Sequence, residues 1–321
     1  MELTAENTSL QQNYRLEFLG KGSEYFSIVI VNWLLTLVTL GLYYPWARAK
    51  KLRYIYGNVS LNNERFHFSG TGKEMFIGFI KLMVFYAIIL GAFYYLYLQS
   101  SLIIAIIILY VGLLGIIPLA IHGAFRYRMS RTTYRGIRFG YRGEREKLVK
   151  YFFKWLILTA FTLGIYVFWM EMNLRRYIYG NIRYGDVEFD NESEGFEYFI
   201  LNLKGYLLTI LTLGIYSFWW YRDIFNYFVN TMSMRRGEQK IRCHSTATGI
   251  GFLRLLVGNF FIIVFTLGLG KAWADVRLYK FILDNIKLEG NINLDEIQQT
   301  EDEYLDAFGE DAMDFFDIDL A

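Results

Sequence analysis

Four times the chain passes through the same order of residue kinds: threonine, leucine, glycine, then aromatics, then a run with helical spacing. TLGLYYPWARAKKLRYIYGN begins at Thr39, TLGIYVFWMEMNLRRYIYGN at Thr162, TLGIYSFWWYRDIFNYFVNT at Thr212 and TLGLGKAWADVRLYKFILDN at Thr266. Self-similarity at a period of roughly fifty residues means that the fold is built from a reused supersecondary element. The last three motifs start 50 and 54 residues apart, and the first gap of 123 leaves room for one degenerate unit and an extra span.

Each unit opens on a short alternating segment that ends in turn residues: YRLEFLGKG at 14–22, ERFHFSGTG at 64–72, RGIRFGYRG at 135–143, GDVEFDNES at 185–193 and QKIRCHSTATG at 239–249. Such alternation closed by Gly, Asn or Ser reads as a strand and turn. An apolar helix follows and ends at the TLG motif, where glycine adopts the left-handed geometry that stops a helix. A tryptophan stands five residues past each glycine, at Trp46, Trp169, Trp219 and Trp273. With Tyr43 these rings suit the headgroup layer of a membrane. Seven and eight residues past the tryptophan lie Arg53 and Tyr54, Arg176 and Tyr177, and Lys280 and Phe281, with Asn226 and Tyr227 at the same places in the remaining copy. The three basic pairs are candidate contacts for anionic lipid headgroups, and the alternative is pairing with acidic residues of adjacent hairpins. The unit therefore reads as strand, membrane helix, short amphipathic helix, strand.

Charge placement argues for a membrane protein. Of 321 residues 54% are hydrophobic, and the forty residues from 82 to 121 carry no charge. That is about twice the roughly 20 residues needed to cross a bilayer core. Shorter uncharged runs occupy 25–47, 155–170, 205–221 and 255–270. The expectation is an α-helical polytopic membrane protein of about six transmembrane helices, over 25–45, 76–97, 102–122, 150–169, 198–218 and 253–270, with small β-hairpins outside the bilayer. If every run crosses once, the loops after spans one, three and five hold 19 Lys and Arg against 9 on the other face. Those loops would then be cytoplasmic. The rival is that the sixteen-residue segments do not cross, and that all the basic helices lie on one face.

Inside the runs, Thr36 and Thr39, Thr159 and Thr162, and Thr209 and Thr212 are three apart and share a helix face. Small polar residues so spaced favour helix packing, and the alternative is a permeation path lined by hydroxyls. Asn32 and Asn259 read as glue between helices. Three domains follow: a polar N-terminal segment 1–13, the repeat-built membrane domain 14–290, and an acidic tail 291–321 without Lys or Arg. The tail reads as solvated, with a partner-binding helix around Phe308, Phe315 and Phe316 as the alternative.

The succession F-x-G-x-G-x-E-x-F, TLG-[IL]-Y-x-x-W and R-Y-x-Y-G-N resembles the YjgN family of bacterial inner-membrane proteins over roughly 14 to 290. It is strongest where FSGTGKEMF follows the first motif. The fourth unit departs from it at Asn226 and Thr231, and the fifth at Gly270. The resemblance implies a multi-pass protein of the bacterial inner membrane and supplies no reaction, substrate or catalytic residue.

Catalysis needs an acid, base, nucleophile or metal in a preorganised site. The span interiors offer none beyond His122 at an interface, so no enzyme is expected. Glu24, Glu74 and Glu197, each on the turn entering a span, read as helix N-terminal carboxylates rather than catalysts. His67, His122 and His244 are far apart in sequence and Cys243 is the sole cysteine, so neither a metal nor a cofactor is expected. A net charge of +2 points to no nucleic-acid partner. Two functions stay open, with membrane lipids and a small-molecule solute as the corresponding partners. One is solute transport or permeation through the helical bundle, which inverted repeats and polar span faces favour. The other is a non-transporting scaffold that binds lipid headgroups or partners.

Overall fold

The structure, a computed structural model, describes residues 12–301. Most of the polar N-terminal segment, and the tail from 302 with its three phenylalanines, lie outside the described residues. Five units follow one another with the same order of elements. The first comprises β1 (Gln12–Tyr14), β2 (Leu16–Phe18), α1 (Gly22–Val38), α2 (Tyr44–Gly57) and β3 (Val59–Leu61). The second has β4 (Glu64–Arg65), β5 (His67–Phe68), α3 (Gly72–Leu98), α4 (Leu102–Arg131) and β6 (Thr132–Tyr134). The third has β7 (Ile137–Tyr141), α5 (Arg145–Phe161), α6 (Val167–Gly180) and β8 (Ile182–Tyr184). The fourth has β9 (Val187–Asn191), α7 (Gly195–Leu211), α8 (Ser217–Asn230) and β10 (Met232–Arg236). The fifth has β11 (Gln239–Ser245), α9 (Gly249–Phe265), α10 (Lys271–Asp284) and β12 (Ile286–Gly290).

The strands close into an antiparallel barrel. One sheet runs β1-β12-β11-β10-β9-β8-β7-β6-β5 and the other β2-β3-β4. Only Arg15 separates β1 from β2, and only Phe66 separates β4 from β5, so each sheet continues the other at both ends. Closure removes the exposed edges that strands this short would otherwise present. One rim is made of tight turns whose left-handed residues, Asn62, Asn63, Arg135, Gly136, Gly185 and Gly237, suit two-residue hairpins. Every helical pair leaves from the opposite rim.

The helices also form a ring, each packing on the next and α10 on α1. Contacts within it are staggered. Asn32 of α1 donates to the Ala47 carbonyl of α2 at 3.4 Å, whereas the first residue of α1, Gly22, lies against Trp273 of α10. A closed ring keeps such an offset all the way round only if its hairpins are inclined.

This architecture corrects the six-span reading. Among the described residues only α3 and α4, of 27 and 30 residues, are long and apolar enough to cross a membrane. The other four outgoing helices have 17 residues, which at 1.5 Å per residue is roughly 25 Å even when upright. A hydrocarbon core is about 30 Å. The runs 25–45, 150–169, 198–218 and 253–270 each contain most of an outgoing helix and its turn, and the first three also the first residues of the returning helix. Hydropathy counted a reversal as though the chain had gone straight on. All five hairpins return to one barrel, so the alternating sidedness falls with the span count.

Residues 291–301, assigned to the solvated tail on composition, lie across the turn rim. Ile292 and Ile297 are buried there with the barrel interior, with Leu294 packed beside them.

Candidate functional site

The helical tips are built by the TLG motif. The N–H of Thr39 bonds to the Leu35 carbonyl at 3.0 Å and that of Gly41 to Thr36 at 2.7 Å, which satisfies the last carbonyls of α1. The residue forced into left-handed geometry is first the leucine, at φ of 50–51° in all four copies, and then the glycine, near 90°. Thr39 ties the turn together: its hydroxyl donates to Leu35 at 2.7 Å and accepts from the Tyr43 N–H at 3.0 Å. Thr162, Thr212 and Thr266 make the same pair of bonds. Thr36 and Thr159 donate to the carbonyls of Asn32 and Trp155 in their own helices. The half-buried Thr209 has its hydroxyl oxygen shielded and without a partner.

At these tips Leu40, Leu163, Leu213 and Leu267 are 94–95% exposed. Around them Val38, Phe161, Leu211 and Phe265 are exposed as well. The apolar tips were the feature missed in the sequence, although the leucine between Thr and Gly stands in every copy of the motif.

The tryptophans, with Arg53 and Arg176, join one unit to the next, whereas Tyr54, Tyr177, Tyr227 and Phe281 tie each returning helix to the outgoing helix of its own unit. Trp46 lies on Gly72, Trp169 on Gly195, Trp219 on Gly249 and Trp273 on Gly22, so every returning helix but α4 meets the glycine that opens the next unit's outgoing helix. Trp46 and Tyr43 stack at 6.1 Å. Arg53 donates to the Gly70 carbonyl at 3.0 Å, and Arg176 to that of Ser193. Tyr54 donates to the Lys21 carbonyl at 2.9 Å and accepts from its N–H at 2.8 Å. Tyr177 clasps Glu144 in the same way, and Tyr227 clasps Glu194. Phe281 packs on Phe252 at 4.9 Å, and Lys280 is exposed. Because α2 and its equivalents run back towards the barrel, these pairs lie nearer the barrel than the tips do. Glu74 completes a capping box with Thr71 and pairs with Arg131 at 2.6 Å. Glu24 and Glu197 stand in the first turns of their helices, as read.

Exposed Lys81, Lys154 and Lys204 each stand nine residues after the first residue of an outgoing helix. Beyond them towards the tips no charge follows until the returning helix.

The barrel encloses a cavity of about 430 Å³. Its wall stacks Phe139 on Tyr184 at 4.6 Å and Phe66 on Tyr134 at 4.8 Å. Cys243 faces it, and burial pushes that thiol up to about 12.

A closed antiparallel barrel bearing a ring of helical hairpins, one of them long enough to cross a bilayer, defines the architectural class. The chain belongs to the family described as "Bacterial protein of unknown function (DUF898)", which matches residues 13–195 and 220–315. It is similar to an "Inner membrane protein YjgN" of Salmonella typhimurium strain LT2, 25% identical over 91% of this chain and 92% of the relative. Proteins of the same name from Escherichia coli O157:H7 and K12 are 32% and 31% identical over 47% of this chain and 37% of theirs. These likenesses support an inner-membrane location. No solved structure matches the chain.

Proposed function

We propose that the protein is a lipid-engaging anchor of the inner membrane: it crosses the bilayer with the α3–α4 hairpin alone, seats its four shorter hairpins in the near leaflet, and carries its barrel on the cytoplasmic surface. The observation that carries this reading is the set of four leucines at the TLG tips. A left-handed leucine costs roughly 1–2 kcal/mol in backbone strain, and a leucine left in water forgoes about 1.5–3 kcal/mol of burial. Four such residues, ringed by exposed phenylalanine and valine, match hydrocarbon.

Sidedness follows from charge. The tip of the long hairpin is Gln99, Ser100 and Ser101, and the nearest charged residues are Lys81 and Arg126. The translocated segment is thus neutral, and the basic residues stay with the barrel, as cytoplasmic placement favours. The lysines at 81, 154 and 204 stand where an inclined hairpin enters the headgroups, so they can extend their ammonium groups to phosphate. Solute permeation is the weaker reading, because five of the six threonine hydroxyls go to carbonyls of their own helices, and 291–301 cover the far end of the axis.

The test is depth. A nitroxide at Leu163→Cys in a Cys243→Ser background, in liposomes, is expected to collide with dissolved oxygen and to be shielded from an aqueous nickel chelate. Nickel accessibility equal to that of a label at Glu238→Cys, on the barrel rim, would sink the proposal.

A further inference from the structure

The 430 Å³ cavity is bounded on three sides by different parts of the fold. The wall is barrel: Phe139, Tyr184, Phe189, Met234 and Ile241. The floor is the barrel-side ends of returning helices, with Phe228 of α8 and Arg175 of α6. The roof is the strap 291–301, through Ile292, Leu294 and Ile297.

The chemistry of the lining selects the occupant. Tyrosine hydroxyls in the wall are already spent on carbonyls: Tyr14 on Ile292 at 2.5 Å, Tyr134 on Leu61 at 2.9 Å and Tyr184 on Tyr134 at 2.9 Å. Among the described residues the one charged side chain in the lining, Arg175, has its guanidinium 3.8 Å from the Phe228 ring centre and its Nε 3.3 Å from Glu171. A site with so few groups left to hydrogen-bond holds water poorly, and close-packed interiors do not carry large voids. Hydrocarbon satisfies both conditions. The volume is at the small end of the roughly 300–1,000 Å³ typical of ligand pockets, which suits one chain and not the two of a phospholipid.

The roof is the removable side. The strap is held at the rim by Asp295 on Arg135 at 2.6 Å and Glu296 on Arg236 at 3.3 Å, with both acids largely exposed. Exposed pairs of this kind are individually weak. They also present two arginines at the mouth of an apolar chamber, where a carboxylate can take the place of Asp295 or Glu296.

We propose that the barrel is a binding site for one long-chain fatty acid, its chain among Phe139, Tyr184, Met234 and Ile241 and its carboxylate at the Arg135 and Arg236 rim, and that the strap is the lid that must lift for it. The inference stands apart from the leaflet reading of the tips, and one experiment separates them. Full-length protein in nanodiscs is photolysed with a palmitic acid analogue carrying a diazirine near its terminal carbon, and the labelled peptides are mapped. Label is expected in 182–191 and 232–243, competed by palmitate, and in the hairpin helices from chain dissolved in the bilayer. In Met234→Trp, which fills the cavity, barrel label is expected to fall at least tenfold while hairpin label persists. If that variant does not fold, the wild-type map decides. Label confined to the hairpins overturns the site. Barrel label displaced by phospholipid but not by palmitate overturns the single-chain assignment. Barrel label without hairpin label contradicts the leaflet reading and leaves this one standing.

Discussion

A Cβ added at Gly195 would lie 2.4 Å from the Cδ1 of Trp169 and 2.8 Å from its Cα, so ring rotation alone cannot relieve the clash. The same tryptophan-on-glycine contact joins α10 to α1, where Trp273 meets Gly22 and closes the ring. Position thus decides what glycine does here. Gly180, last in α6, has nothing within 4 Å of its Cβ direction. Gly195→Ala is expected to destabilise by about 1–3 kcal/mol through overpacking. Gly180→Ala is expected to be neutral or to stabilise by up to about 1 kcal/mol, because it restricts the unfolded chain. Thermal unfolding of both variants in the same detergent checks the pair; equal loss in both would mean that the Trp169 contact is not what matters at Gly195.

Among the elements, the strand, helix, helix and strand of one unit could be read from alternation, the TLG stop and the helical spacing that follows it. Direction could not. A hydropathy run such as 150–169 is the same string whether the chain continues through Thr162 or doubles back there, and what reverses it is hydrogen bonding across the turn. The joints were hidden for a related reason. Arg53 and Tyr54 look like membrane-surface residues in isolation, and only the folded chain brings Gly70 and Lys21 to them. The cavity was less legible still, since strands of two to seven residues do not show that the sheet closes. The strap was obscured by composition, because a few apolar residues among acids read as solvated chain until a rim is there to receive them. Its docking is testable through Cys243, whose thiol stays protonated at neutral pH and faces the cavity. Two exposed ion pairs at up to about 1 kcal/mol each correspond to on the order of tenfold in opening. Arg135→Gln with Arg236→Gln should therefore speed maleimide labelling of Cys243 by about that factor, whereas an unchanged rate would show that apolar burial and the bonds of Gln298 to Asp186, Thr300 to Gly185 and Glu301 to Arg142 hold the strap without these pairs. Burial by itself would raise Asp186, but Arg236 and the Gln298 N–H outweigh it and hold the carboxyl below its ordinary 3.8. Its contribution is present above that pH and is lost as pH falls through the lower folded value. Acid release of the strap, read as hydrogen exchange at 292–298, is accordingly expected only below about pH 4.

For the whole molecule, one difference in length separates a hairpin long enough to span from four that are too short. The α3–α4 pair outruns its neighbours by ten residues or more and ends on a polar tip, whereas the others end on leucine. In the arrangement we propose, depth, sidedness and the exposure of the leucines are three aspects of one placement, with the barrel on one surface, Ser100 on the other and Leu213 between them. Cysteines placed singly at Ser100, Leu213 and Glu238 in a Cys243→Ser background, probed with a membrane-impermeant maleimide, read that arrangement directly. Ser100→Cys should label in intact spheroplasts, Glu238→Cys only in inside-out vesicles, and Leu213→Cys in neither until the protein is denatured. Labelling of Leu213→Cys in spheroplasts alongside Ser100→Cys would mean that the short hairpin crosses the membrane, and the account would be wrong.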